Sequence, residues 1–153
     1  MTPSFSIQRA IPADRETLRN ICLLSKAHWQ YPQPLMDKLR DAPIITDEAI
    51  QKESVFKAVV ESNPVAWYCL LNSTPTAILD DLWVLPAFMG LGIGRTLFEH
   101  AISQAGTAQA IELDADPNAV PFYQRMGCVV IGETLTEWNR YVPRMRYLIP
   151  IKQ

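Results

Sequence analysis

The stretch Leu82-Trp83-Val84-Leu85-Pro86-Ala87-Phe88-Met89-Gly90-Leu91-Gly92-Ile93-Gly94-Arg95 decides the fold class of this chain. An apolar run ends at a proline, a short turn follows, and alternating glycines lead into residues that favour a helix. A helix that starts on glycine offers bare backbone N–H groups, which bind phosphate without a basic side chain. The glycines at 90, 92 and 94 spell G-x-G-x-G, and five residues separate them from Val84. A dinucleotide fold needs G-x-G-x-x-G directly after a strand, so it fits poorly, although Glu112 or Asp114 stands where its ribose acid belongs. No Gly-Lys-Ser/Thr occurs anywhere, which excludes a nucleoside-triphosphate loop.

On the N-terminal side of this stretch, residues 55–61, 65–71 and 76–84 read as three strands of an antiparallel meander, with Asn63-Pro64 and Asn72-Ser73-Thr74-Pro75 as connections. A short strand over 4–9 comes first. Leu18, Ile21, Cys22 and Ser25 then recur at helical spacing after the turn at Pro12, a second helix covers 35–40, and Thr46 opens a third that ends near Glu53. On the C-terminal side, 92–104 is a helix with Ile93, Leu97, Phe98, Ala101 and Ala105 on its apolar face, and His100 reads as a surface residue of it. A buried-type strand over 110–114, a short helix over 118–126 stopped at Gly127, and strands over 128–136 and 144–149 complete the chain. The order is mixed α/β, with about seven strands and four or five helices in a single domain, 1–153. The two helical crossovers imply parallel or mixed pairing in the middle of the sheet.

Composition narrows the function. The 153 residues carry a net charge of −2 with scattered basic residues, which is no nucleic-acid surface. Arg140, Arg144 and Arg146 form the one basic cluster, read as strand charges facing water or as contacts to an anionic ligand. Cys22, Cys69 and Cys128 are odd in number, unpaired in spacing and set in apolar runs, so they read as core thiols and not as metal ligands or nucleophiles. No signal-peptide pattern and no membrane-length apolar run occurs, so a cytoplasmic protein is expected.

The segment from Asp81 through Pro86 and on from Met89 to Leu97 resembles the acetyl-CoA signature of the GCN5-related N-acetyltransferases, a strand ending L-x-V-x-P followed by [Q/R]-x-x-G-x-[G/A] opening a helix. A second stretch, Asp116-Pro117-Asn118-Ala119-Val120-Pro121-Phe122-Tyr123-Gln124-Arg125-Met126-Gly127-Cys128, resembles the later motif of the same family. The resemblance is specific over roughly residues 79–130, and it implies the acyl-CoA N-acyltransferase fold, a mixed and strongly twisted central sheet flanked by helices. Met89 stands where the family has Gln or Arg, which bears on cofactor affinity.

The resemblance implies transfer of an acetyl group from acetyl-CoA to a primary amine by direct attack. It assigns pyrophosphate contacts to Met89, Gly90, Leu91, Gly92, Ile93, Gly94, Arg95 and Thr96. It assigns pantetheine contacts and an oxyanion donor to the backbone of Leu82, Trp83 and Val84. Tyr123 matches the general acid toward the departing thiolate. Asn118 matches a cofactor contact and doubles as a helix cap. Asp80 and Asp81 are carboxylates in an apolar strand and are the candidates for general base. A regular strand turns them to opposite faces, and a bulge would change that. His28, Trp29 and Tyr31 fall where the family's first helices wall the acceptor pocket, and Glu137 lies in a loop that often closes over it. These acids and aromatics fit a small cationic amine. A protein or peptide amine, or a non-catalytic acyl-CoA sensor, are the alternatives. No metal is implied, and exposed edge strands near the C-terminus make a homodimer plausible.

Overall fold

The computed structural model describes residues 3–151. Its elements run β1 (Ser6–Arg9), α1 (Arg15–His28), α2 (Gln33–Asp41), α3 (Asp47–Lys52), β2 (Ser54–Val60), β3 (Asn63–Leu71), β4 (Thr76–Val84), α4 (Ile93–Gln104), β5 (Ala110–Asp114), α5 (Val120–Arg125), β6 (Val129–Leu135) and β7 (Tyr141–Leu148). The seven strands form one sheet in the order β1-β2-β3-β4-β5-β7-β6. Only β4 and β5 pair in parallel, as expected for strands joined by the α4 crossover. The second crossover, through α5, also returns the chain in the same direction. Its strand β6 does not touch β5, because β7 inserts between them and runs antiparallel to both.

Each face of the sheet has its own core. On one side α4 buries Ile93, Leu97, Phe98 and Ala101 against Tyr68, Leu70, Leu79, Ile111 and Met145. On the other, α1 buries Leu18, Ile21 and Cys22 against Val55, Trp67 and Cys69. These are the residues that the 3.6-residue spacing of the helices selects. The Phe98 ring also meets Tyr123 edge-on with centroids 6.1 Å apart, so this core fixes a residue of the site described below. Phe98→Ala is expected to cost about 3–5 kcal/mol, read as a lower denaturant midpoint at unchanged slope.

Three sequence expectations need correction. Strand β7 begins at Tyr141 and not at residue 144. Pro143 sits at the very end of the β5 ladder, where its C=O still accepts from Ala115 N–H at 2.8 Å and its missing N–H forfeits only the terminal bond. His100 is half-buried and not a free surface residue, since its Nδ1 lies 2.7 Å from the Tyr68 hydroxyl and its ring rests 4.6 Å from Phe56. Burial lowers its pKa accordingly. Arg144 and Arg146 are neither open to water alone nor free for a ligand, because both pair with Glu112 and Arg144 also pairs with Asp114. β6 forms a sheet edge with Val129, Val130, Ile131 and Leu135 exposed.

Candidate active site

The parallel ladder of β4 and β5 is only three pairs long. Thr76, Ala77 and Ile78 pair with Ala110, Ile111 and Glu112, after which the strands part. The gap opens a cleft of about 500 Å³, walled by β4 from Leu79 to Val84, by Asp114 at the end of β5, by the glycine turn, and by α5 with the turn before it.

The register of β4 fixes which backbone groups face this cleft. Leu85 N–H donates to Val65 C=O at 2.8 Å, so that pair exchanges hydrogen bonds. Counting along the regular pairs Ala66–Val84, Trp67–Trp83 and Tyr68–Leu82, bonding alternates. The N–H and C=O groups of Leu82 and Val84 therefore point away from β3 and into the gap. Those of Trp83 point back into the sheet, so Trp83 reaches the cleft with its indole and not with its backbone. Ser25 on α1 lies 2.7 Å from Val84 C=O and 2.8 Å from Ile21 C=O, with one hydroxyl proton to donate to either.

At the mouth, Gly90 and Gly92 take left-handed φ of 76° and 87°. Gly92 caps α4, and the first intrahelical bond runs from Thr96 N–H to Gly92 C=O. The amides of Ile93, Gly94 and Arg95 precede that bond and no side chain caps them, as at any open helix start. Gly94 is needed for a different reason, since a Cβ there would sit 3.3 Å from Phe122. Met89 does not donate freely, because its N–H bonds Pro86 C=O at 3.2 Å. Met89, Gly90, Gly92, Gly94 and Arg95 line the cleft, whereas Ile93 turns its side chain into the core and Thr96 turns its hydroxyl onto Gly92 C=O. Leu91 stands between the two left-handed glycines, half-buried and not among the lining residues. Gly92→Ala is expected to cost about 1 kcal/mol in stability from the left-handed φ alone. Its loss of coenzyme A affinity should exceed that cost, as read by calorimetric titration.

Deeper in the cleft, Asp80 is the extra residue of a β-bulge, since Cys69 pairs with Asp81 while Leu70 pairs with Leu79. The bulge brings both aspartates to the cleft wall, with Cys69 Sγ and a carboxylate oxygen of each within 4.8 Å of one another. Asp80 is accessible through the cleft mouth. The walls still strip enough water to push its carboxyl above the ordinary range, and the charges of Asp114 and Glu137 add to this. Burial pushes Asp81 well upward. Its Oδ1 accepts from Trp83 Nε1 at 2.9 Å, and its Oδ2 is buried with no partner among the described residues. Burial also raises all three thiols, Cys22 to about 12, Cys128 to about 11 and Cys69 upward, so none is a ready nucleophile.

Tyr123 lies on the opposite wall. It is 7% exposed, its ring is held edge-on by Phe122 and Phe98, and its hydroxyl has no hydrogen bond to the described residues. Burial raises its pKa, so the phenol keeps its proton. Asn118 lines the cleft but does not cap the turn. Asp116 is the cap, accepting from the Asn118 N–H at 2.8 Å and from Asn118 Nδ2 at 3.1 Å.

The acceptor-side candidates are divided. Trp29 lines the cleft, with His28 against its ring at 5.0 Å but outside the lining. Tyr31 lines a separate groove between α1 and α2, and its ring carries Lys26 and Arg140, each at 5.0 Å. Glu137 is exposed and acts on Asp80 through its charge. Sequence reasoning missed Ser25, Lys26, Asp114 and Asp116. A serine inside the apolar stripe of α1 was a legible signal, whereas Asp114 and Asp116 reach the cleft only where the strands part and Lys26 is placed by its stacking on Trp83.

A splayed parallel pair beside a glycine-opened helix defines an acyl-coenzyme A type of cleft. The model of the Acetyltransferase (GNAT) family matches residues 18–128, and the chain belongs to that family. The fold is similar to that of the PaiA N-acetyltransferase of Thermoplasma acidophilum, solved in complex with coenzyme A, at TM-score 0.79 and 18% identity over 95% of this chain and 99% of that one. It is also similar to a GCN5-related N-acetyltransferase of Rhodopseudomonas palustris, at TM-score 0.81 and 21% identity over 97% and 96% of the two chains. Among curated proteins, the peptidyl-lysine N-acetyltransferase YjaB of Escherichia coli (strain K12) is 36% identical over 56 residues, which are 37% of this chain and 38% of that protein. The match therefore spans well under half of that relative. No helix among the described residues is long and apolar enough to cross a membrane.

Proposed function

We propose that this protein transfers the acetyl group of acetyl-CoA to a primary amine by direct attack, the acceptor being a small molecule that is cationic at its amine. The observation that carries the reading is one cleft holding open strand amides, a proton-hungry carboxylate and a protonated phenol. The cradle fits the cofactor: Gly90 leaves nothing within 4 Å of where a Cβ would stand, Gly92 opens the helix at a left-handed φ, and β4 turns the Leu82 backbone groups and the Val84 N–H into the gap while Ser25 engages Val84 C=O.

Acetyl-CoA supplies an acetyl group activated as a thioester. The amides that open α4 would hold the pyrophosphate. The Leu82 and Val84 backbone groups would align the pantetheine arm, and their N–H groups are the donors available to a charge developing on the thioester oxygen. Asp80 draws the ammonium into the cleft and takes its proton, directly or through water. Tyr123 would give its phenolic proton to the departing sulfur and be reprotonated, directly or through water, by the second proton that the nitrogen sheds as the amide forms. The raised thiols favour this route over an acyl-cysteine.

The reading is tested by free-thiol release from acetyl-CoA against a panel of amines, with a no-acceptor control. Acceptor-dependent release is the expected result. Tight acetyl-CoA binding without release from any amine would favour a sensor, and absence of binding would mean that the loop around Met89 has lost its phosphate site.

A further inference from the structure

Two cations beside the cleft stand in no ion pair among the described residues, although the charge of Lys26 reaches Asp81. Lys26 Nζ lies 4.4 Å from the Trp83 ring centroid and 5.0 Å from that of Tyr31, and the Arg140 guanidinium lies 5.0 Å from the same Tyr31 ring. Both are half-buried, and among the described residues neither side chain makes a hydrogen bond or an ion pair. Elsewhere the half-buried cations Lys57, Arg144 and Arg146 each meet a carboxylate. Two like charges gathered on one ring repel each other. The aromatic faces offset part of that, and an anion would offset more.

The position of this pair gives it meaning. Asp81 accepts from Trp83 Nε1, Lys26 covers the Trp83 ring, and Tyr31 links Lys26 to Arg140. A chain of side-chain contacts therefore links the aspartate wall at the reacting end to two cations without an ion pair at the other. Its two ends bear opposite charge, and a ligand complementary to both carries an ammonium and an anion.

We infer that Lys26 and Arg140, gathered on Tyr31, form a carboxylate subsite and that the acceptor is a free amino acid, its amine at Asp80 and its carboxylate on this pair. The inference rests on the acetyl-transfer reading and names the substrate class within it. Planar, forked Arg140 suits a carboxylate, with Lys26 as the second donor.

The test sets ω-amino acids of increasing length against the same amines without the carboxylate, whose basicity is close, and against a peptide amide with an acidic side chain. Equilibrium binding to the coenzyme A-loaded protein, followed by tryptophan fluorescence, reads the subsite. Thiol release from acetyl-CoA reads the transfer reaction. At the preferred length the carboxylate member should bind at least about tenfold more tightly than its bare amine, the effect of one charge-assisted contact. Arg140→Gln and Lys26→Gln should each pull that ratio toward one. A ratio near one at every length, a ratio untouched by both variants, or a clear preference for the peptide overturns the inference. A persistent binding preference with no thiol release from any amine overturns the transfer reading and leaves the subsite standing.

Discussion

Tyr123→Phe lowers kcat by about 10²-fold or more, the range for loss of a positioned general acid, while acetyl-CoA affinity stays within a few-fold. The substitution removes only a hydroxyl that has no partner among the described residues, and the ring keeps its contacts with Phe98 and Phe122. The fold therefore has little reason to respond, and a thermal melt of the variant should match the parent. A thiolate leaving into a largely apolar cleft needs a proton at the moment it departs. Burial keeps the Tyr123 phenol protonated well past neutral pH, so the donor is loaded throughout the working range. The measurement is steady-state kinetics with a calorimetric coenzyme A titration beside it. An unchanged kcat, with chemistry shown to limit the rate, would mean that water supplies the proton and that Tyr123 only packs.

Much of this site was legible because its chemistry is carried by backbone. Glycines at 90 and 92 announce a left-handed turn whatever surrounds them, and the strand of 76–84 with the strand of 110–114 follows from local apolar pattern. What stayed hidden depends on partners far away in sequence. His100 sits on the flank of its helix, and nothing within α4 reveals that Tyr68, 32 residues earlier, waits for its Nδ1. The aspartates show the same limit from the other side. Strand alternation sends Asp80 and Asp81 to opposite faces, and only the bulge against Cys69 and Leu70 brings both to one wall. The strand read over 144–149 begins three residues earlier, at Tyr141, because β6 pairs with that stretch through Glu133, Thr134 and Leu135. Lys26 and Arg140 are ordinary surface charges until folding brings both onto Tyr31.

The bulged pair also sets the pH dependence. Asp80→Asn is expected to lower kcat/KM by about 10²–10³-fold near neutral pH, where an alkyl ammonium still holds its proton and a base must remove it. Asp80 works only when ionised, so activity of the parent falls as pH drops through its carboxyl pKa. Burial and the charges of Asp114 and Glu137 place that limb above the ordinary carboxylate range. The variant should lose this acid limb. Its deficit should narrow toward about pH 10, where the free amine supplies itself. Asp81→Asn is the discriminating comparison. Its amide oxygen can still accept from Trp83 Nε1, and its carboxyl already holds its proton more firmly than Asp80's surroundings require, so its loss should stay within about tenfold. The substitution that removes the limb identifies the group whose ionised form takes the proton. A limb that disappears in Asp81→Asn and persists in Asp80→Asn would transfer the base role to Asp81 and leave Asp80 to attract the ammonium.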